Sequence, residues 1–409
     1  MSKKRTALIS LLIIVSVAIV TVAVTYLLTP LFQPRSDLLP EHEEAERTQI
    51  GTNDSSSNQT AASPTILPTT IDIVSTTSAF PFVQRWTAQY ENQQQPASSD
   101  SVNVEYLADS EIIAAEEGNG RSDLAIVGVP NENNNTLYVP VSAQAVAIVY
   151  NIPSFPDIPS GLRLNSTILS LILNGSITQW DDEAIKDLNP NLNLPDERIV
   201  VVHSSDDEDD NDNNSNNGNS SSSLVLLKQY LGLQSLNWPK NDSLAASGPA
   251  ELAEMVRKIP YSLGYVDFSY AVQTRMTYAA IGNADGDYVV PSMQSIGRAV
   301  DVGLQFHNYS IDRSSSQQQQ PPTINSSRFA SDSYPIVGLY YASLLASDDD
   351  NEQEERIVAM LDFVKWIISE SGGQQALLEV QYPPIYPGNE QLATYANITT
   401  DAIQKSLSN

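Results

Sequence analysis

The chain has 409 residues, which is enough for two packed domains, and 41% of them are hydrophobic, which supports a buried core. It carries 49 acidic and 21 basic residues, a net charge of -28, and is therefore a poor partner for nucleic acid or an anionic membrane surface. It contains no cysteine, so disulfides, zinc–thiolate sites, iron–sulfur clusters and a cysteine nucleophile are excluded.

The N-terminus has the pattern of a membrane anchor. A basic flank at 1–6 precedes an apolar run at 7–28, which is long enough to cross a hydrocarbon core of about 30 Å. The basic flank predicts a cytoplasmic start, so we expect a single-pass cell-membrane protein whose binding domain is extracytoplasmic. A cleaved signal peptide is the alternative, although no small-residue cleavage site follows the run. Residues 29–69 are polar and predict a disordered tether.

From residue 70 onwards, β-branched apolar runs alternate with helical patterns. Strands are predicted at 70–75, 102–107, 123–130, 144–151, 198–203, 262–271 and 338–346. Helices are predicted at 81–91, 110–118, 164–175, 181–189, 224–232, 249–259 and 355–371. This alternation predicts an α/β fold with mainly parallel sheets. The polar tracts at 205–223, 314–322 and 347–355 are interpreted as surface loop insertions.

Asn-X-Ser/Thr sequons occur along the whole chain, from Asn53 to Asn397. Their density supports an extracellular location and is more typical of an archaeal or eukaryotic cell surface than of a bacterial one.

Signals for an enzyme are weak, and we predict neither catalytic residues nor a cofactor. His42, His203 and His307 have no partner at metal-ligand or triad spacing. The stretch NADGD at 283–287 resembles part of a calcium loop but lacks the remaining ligands. A hairpin turn is the favoured interpretation of that stretch, and no metal site is predicted.

A stronger signal lies at three predicted helix starts, where hydroxyl residues directly follow a strand. They are Ser75–Ser78 before Phe80, Ser110 before its helix, and Ser220–Ser223 before Leu224. Free N–H groups and a partial positive charge allow a helix N-terminus to bind an anion. Ordinary N-capping is the alternative at each position.

Longer stretches resemble the phosphate-binding proteins of ABC phosphate transporters. The most specific is LILNGSITQWDDEAIKDLNPNLNLPDERIVVV at 171–202. The segments at 76–90, 144–153, 258–271 and 333–371 also resemble that family. The resemblance runs in order from about residue 70 to 390 and therefore covers the predicted folded region.

This resemblance implies a two-lobe type II periplasmic-binding-protein fold with hinge strands, preceded here by the transmembrane helix. One lobe is expected at 70–148 and 272–405, and the other at 149–271 with an acidic insert at 205–220. It also implies the function of an extracytoplasmic solute-binding protein. Such a protein captures phosphate or a related oxyanion for the permease and ATPase subunits of an ABC transporter.

The resemblance also implies which residues bind the ligand. The first helix start carries Ser78, Ala79 and Phe80, with Ala79 where the family has a threonine, and Ser78 is a candidate substitute for the lost hydroxyl. The second start carries Ser110. The third start, after the insert, carries Ser221, Ser222 and Ser223.

Two positions depart from the family. Its ligand aspartate falls at Gly128 and its ligand arginine at Ser204, and the joint loss is consistent because a buried carboxylate without a cation is costly. The acidic insert at 205–220 lies within the same loop and repels phosphate if it folds over the cleft. The second hypothesis is therefore a scaffold that has lost phosphate binding. Such a scaffold would bind another solute, a cation at the acidic loop, or a protein partner at the cell surface.

Overall fold

The computed structural model describes residues 69–94, 101–107, 112, 122–130, 136–153, 161–205, 221–239, 241–306, 321–329, 331–344 and 353–407. The strands are β1 Thr70–Thr76, β2 Ser101–Leu107, β3 Leu124–Val127, β4 Leu137–Asn151, β5 Arg163–Leu164, β6 Val200–Ser204, β7 Ser243–Ala246, β8 Ser262–Asp267, β9 Ala280–Gly282, β10 Tyr288–Val289, β11 Leu304–Gln305, β12 Thr323–Ile324 and β13 Val337–Leu344. The helices are α1 Phe80–Gln94, α2 Ser166–Leu173, α3 Glu183–Leu188, α4 Ser222–Leu231, α5 Pro249–Lys258, α6 Phe268–Gln273, α7 Met293–Gly303, α8 Gln353–Ile368, α9 Gly373–Glu379 and α10 Glu390–Leu407.

Within the described residues, the main sheet has eight strands in the order β2-β1-β3-β13-β4-β8-β6-β7. β1 pairs in parallel with β2 and β3, and β6 pairs in parallel with β7 and β8. β13 and β4 form antiparallel pairs in the middle. The prediction of mainly parallel sheets therefore describes the two flanks and is wrong for the centre, because sequence periodicity does not report strand direction.

The long strand β4 connects the two flanks. Its first part, Leu137–Ala145, pairs with β13, and its second part, Val146–Asn151, pairs with β8. On one side of β4 lie β2, β1, β3 and β13, which all fall in the first predicted lobe. On the other side lie β8, β6 and β7, which all fall in the second. The lobe limits at 148 and 272 themselves stay a prediction.

Aromatic packing fixes the first helix against the sheet. The Phe82 ring lies 4.7 Å from the Trp86 ring and 4.7 Å from the Tyr382 ring, measured between centroids. The Trp86 indole N–H donates to the carbonyl of Gly373 at 2.8 Å. Because these side chains are almost fully buried, they hold the N-terminus of α1 at one place above the sheet.

The segment 262–271 was predicted to be extended throughout, and its second half is helical. β8 ends at Asp267 and α6 begins at Phe268. The Asp267 carboxylate accepts a hydrogen bond from the Ser269 backbone N–H at 2.9 Å. This N-cap starts a helix that the aromatic and β-branched composition of the segment does not predict.

The predicted cytoplasmic flank at 1–6, anchor at 7–28 and tether up to 68 lie outside the described residues, as does most of the acidic insert. Across the ranges that are described, no helix is both long enough and apolar enough to cross a membrane.

Candidate functional site

A cavity of about 580 Å³ lies where several strands reach their carboxyl ends. Its walls come from the ends of β1, β2, β6 and β8 and from the residues just after β7. The lining residues are Thr76, Thr77, Ser78, Phe80, Pro81, Tyr106, Ser204, Ser221, Ser222, Ser223, Ser247, Gly248, Pro249, Ala250, Glu251, Leu252, Tyr265, Val266, Asp267 and Tyr270. In open α/β sheets this edge is where ligands bind.

The first predicted helix start forms one wall of the cavity. Ser78 lies in a short 3-10 turn before α1, and its hydroxyl is 3.1 Å from that of Thr76. The Phe80 side chain is 42% exposed and packs edge-on against Tyr106 with ring centroids 4.7 Å apart. The Ala79 side chain is fully buried, and this residue is not part of the cavity lining.

The predicted helix start after the insert forms another part of the cavity wall. Ser221, Ser222 and Ser223 all line the cavity. The Ser221 hydroxyl caps α4 by accepting from the Leu224 N–H at 3.3 Å. Ser222 is buried, and its hydroxyl accepts from the side-chain amide of Gln144 at 2.8 Å. The structure therefore brings together five of the seven predicted site residues. Ser110 lies outside the described residues.

Gly128 approaches the α4 start so closely that a side chain does not fit there. A Cβ atom on Gly128 would lie 2.5 Å from the Ser222 Cβ and 2.6 Å from its hydroxyl oxygen. Ser204 ends β6, lines the cavity, and donates its N–H to the Tyr265 hydroxyl at 3.3 Å. The positions matching the family's aspartate and arginine are thus occupied by backbone and by a small hydroxyl residue.

A third helix start at the cavity was missed by the sequence analysis. α5 begins at Pro249 after Gly248, and its first-turn residue Glu251 accepts from the Ser247 N–H at 2.8 Å. The helix itself was predicted, and its Gly-Pro start is a recognised signal. Its position beside the two serine-bearing starts depends on sheet order, which the sequence does not give.

Asp267 is also a residue of the cavity that the sequence does not reveal. It lines the cavity although it is only 4% exposed. Its carboxylate accepts from the Ser269 N–H at 2.9 Å and from the Tyr340 hydroxyl at 3.2 Å. Burial raises the pKa of Asp267 to about 7, and these hydrogen bonds only partly offset that rise.

Among the described lining residues there is no arginine, lysine or histidine. The two ionisable carboxyl groups of the lining are Asp267 and the exposed Glu251. Burial also raises the pKa of Tyr106 to about 12, so that phenol stays neutral at physiological pH. An anion in this cavity is therefore met by hydroxyls, backbone N–H groups and helix dipoles rather than by a positive side chain.

The structure supports structural roles for the NADGD stretch and for His203. NADGD forms a turn between the antiparallel strands β9 and β10, and Asn283 accepts from the N–H groups of Asp285 and Asp287. The hairpin interpretation is confirmed. His203 is buried and its ring stacks on Trp238 with centroids 4.4 Å apart. Within the described ranges, no cluster of three potential metal ligands occurs.

Comparison with known proteins agrees with this fold. The PBP superfamily domain matches residues 43–371. The phosphate-binding protein PstS of Methanocaldococcus jannaschii is 26% identical over 327 residues, covering 74% of this chain and 80% of the relative. The resemblance predicted from the sequence is therefore confirmed.

Two solved structures share the fold. A Clostridium perfringens protein described as a phosphate ABC transporter substrate-binding protein, with bound phosphate, has a TM-score of 0.52 and 16% identity over 77% of this chain and 99% of that chain. The periplasmic phosphate-binding protein PfluDING, also with phosphate, has a TM-score of 0.55 and 14% identity over 80% of this chain and 93% of that chain. The fold is thus the mixed α/β, two-domain fold of these structures, and the chain belongs to the PBP superfamily.

Proposed function

We propose that this protein is an extracytoplasmic solute-binding protein that captures phosphate, or a closely related oxyanion, for an ABC transporter. The observation that carries the proposal is the cavity that the Ser78 and Ser221–Ser223 helix starts line together. Helix N-termini and hydroxyls together bind an oxyanion without a cationic side chain. The names of the relatives and of the solved structures favour this function over a scaffold that has lost its ligand.

The ligand residues of the proposal are those of the two described helix starts, with Ser110 as a further candidate. Ser78, Ser221, Ser222 and Ser223 supply hydroxyls. Ala79 and Phe80 form the α1 start itself, where the Phe80 N–H already donates to the Thr77 carbonyl. The predicted lobes at 70–148 with 272–405 and at 149–271 close on the anion, with β4 as part of the hinge. Delivery then requires the permease and ATPase subunits of the transporter as partners.

The proposal includes the location predicted from the N-terminus. An apolar helix at 7–28 would hold the protein in the cell membrane, and the tether at 29–69 would let the binding domain reach a permease in the same membrane. No enzymatic activity is proposed, since the fold family and the cavity both support binding.

Isothermal titration calorimetry of the full-length protein with phosphate, then with sulfate, tests the function. We expect saturable phosphate binding that is weaker than a site with an arginine would give, because a charge-assisted hydrogen bond contributes about 1.5–3 kcal/mol. If neither ion produced heat or raised the melting temperature, the protein would not be a receptor for these oxyanions. The scaffold hypothesis would then stand.

A further inference from the structure

The cavity contains a buried carboxyl group that the proposed function leaves unexplained. Asp267 is almost fully buried, yet it lines the same cavity as the serine-bearing helix starts. A buried carboxylate is costly unless a cation or several hydrogen bonds compensate its charge. The described lining offers no cation, so a bound oxyanion would bring a second negative charge into the same space.

Strand register places Asp267 close to the α4 start. Asp267 on β8 is directly opposite Val146 on β4, and directly opposed residues project from the same face of a sheet. Gln144 lies two residues from Val146, so its side chain projects from that face too. Its amide donates to the Ser222 hydroxyl. The Asp267 carboxyl and the Ser222 hydroxyl therefore lie on the same face of the sheet, and both residues line the cavity.

A second set of contacts links Asp267 to the α1 start. Burial first, and then the neighbouring Asp267 carboxylate, raise the pKa of Tyr382 well above its ordinary value. The Tyr382 hydroxyl in turn donates to the Ser78 carbonyl at 2.9 Å. Asp267 is thus linked through Tyr382 to the wall that carries Ser78.

The groups around Asp267 do not neutralise its charge. The titratable neighbours from the surrounding elements are Tyr265, Tyr270, Tyr340, Tyr382, Glu251 and His203. The raised pKa of Tyr382 keeps that phenol neutral, and Glu251 adds negative charge at the exposed side. The His203 ring stacks on Trp238, and its Nδ1 lies 3.0 Å from the Ser204 carbonyl oxygen.

We propose that oxyanion binding is coupled to the uptake of one proton by Asp267, and that the neutral carboxyl group then donates a hydrogen bond to the bound oxyanion. The inference rests on the proposed function and adds a residue that sets the pH dependence of the same site. The proton comes from solvent, and ionised Asp267 opposes anion entry. A like charge nearby raises the pKa of a carboxyl group, which favours this uptake at neutral pH.

Asp267→Asn is the test variant because asparagine keeps an amide donor and is itself a good N-cap for α6. Asp182→Asn is the matched control. Asp182 caps α3 by accepting from the Ala184 N–H at 2.9 Å, and it does not line the cavity. Both full-length variants are compared with the unmodified protein.

Phosphate is titrated calorimetrically at about pH 8 in two buffers of different ionisation enthalpy, which gives the number of protons taken up. Proton exchange by phosphate itself is common to all three proteins and cancels in the comparison. We expect the unmodified protein and D182N to take up nearly one proton more than D267N. Between about pH 7 and pH 9 their phosphate affinity should also fall by up to about tenfold per pH unit relative to D267N.

The outcomes separate this inference from the proposed function. Equal proton uptake and equal pH dependence in D267N and the unmodified protein would overturn the inference while leaving phosphate binding intact. So would a large loss of phosphate affinity in D267N at high pH, since that would make ionised Asp267 an acceptor. Absence of phosphate heat from all three proteins would overturn both proposals.

Melting temperature checks that D267N is folded. Because the folded-state pKa of Asp267 is raised, the folded protein binds more protons than the unfolded chain, and its stability falls as pH rises towards about 7. D267N lacks this loss, so at about pH 8 it should melt no lower than the unmodified protein. A lower melting temperature there would contradict the account of Asp267 as a costly buried charge.

Discussion

At the scale of single residues, Gly128 shows how one position shapes the site. Its backbone lies against the first turn of α4, and any Cβ would overlap Ser222. A carboxylate cannot be accommodated there while Ser222 keeps its hydrogen bond with Gln144. Because Gly128 has no side chain, the Ser222 hydroxyl can occupy the space next to the end of β3.

We expect Gly128→Ala to destabilise the protein by about 1–3 kcal/mol, because an added methyl group in a close-packed contact forces Ser222 and Gln144 to move. Urea denaturation measures the change. Gly297→Ala is the matched control, since Gly297 lies inside α7 and nothing is within 4 Å of its Cβ position. That variant should gain up to about 1 kcal/mol from helix propensity. Equal stabilities for the two variants would contradict this expectation, because they would show that the α4 start moves aside for the added methyl group at no cost in stability.

At the scale of elements, the site depends on helix starts rather than on whole helices. α4 and α7 both begin with a serine cap: Ser221 accepts from the Leu224 N–H, and Ser292 forms a reciprocal capping box with Ser295. Only the first of these starts faces the cavity among the described residues. Variants of Ser221 and Ser292 can therefore separate the effect of capping a helix from the effect of binding a ligand.

Ser221→Ala and Ser292→Ala should each lower the free energy of unfolding by about 1 kcal/mol through loss of the cap. Only Ser221→Ala should also weaken phosphate binding, because it removes a hydroxyl from the cavity. Thermal denaturation and phosphate calorimetry on both variants measure the two effects. A Ser221→Ala protein that loses stability but keeps its phosphate affinity would show that this serine only caps α4.

The hydrophobic periodicity of the sequence predicts some elements of the structure and misses others. It placed β1, β6, α2, α4 and α5 within a few residues, because each combines an apolar pattern with clear end signals. It did not find α6, whose start depends on the Asp267 cap. Nor did it find the antiparallel pairs of β4, because strand direction follows from chain connections across the sheet.

At the scale of the whole molecule, the charge of -28 opposes an anionic ligand. The acidic insert follows β6 in the chain and ends at the α4 start. Six of its residues are acidic: Asp206, Asp207, Glu208, Asp209, Asp210 and Asp212. Since the described lining of the cavity has no cation, long-range repulsion is not locally offset by a positive side chain.

We therefore expect phosphate to associate faster as salt rises from about 10 mM to about 150 mM, where the Debye length shrinks from about 30 Å to about 8 Å. Stopped-flow binding of the full-length protein measures the rate. A variant with those six acidic residues changed to their amides should associate faster at low salt and depend less on salt. Slower association at higher salt would instead indicate that attraction by the helix dipoles dominates.

The sequence by itself determined the family, the α/β class and the two serine-bearing helix starts now seen at the cavity, and it predicts the loss of the family's aspartate and arginine. These follow from local patterns and motifs, in which neighbouring residues act together. The tertiary structure decided that Gly128 packs on Ser222, that α5 adds a third helix start, and that buried Asp267 lines the same cavity. Those features depend on strand register and desolvation. Both arise only when residues far apart in the chain pack together and exclude water.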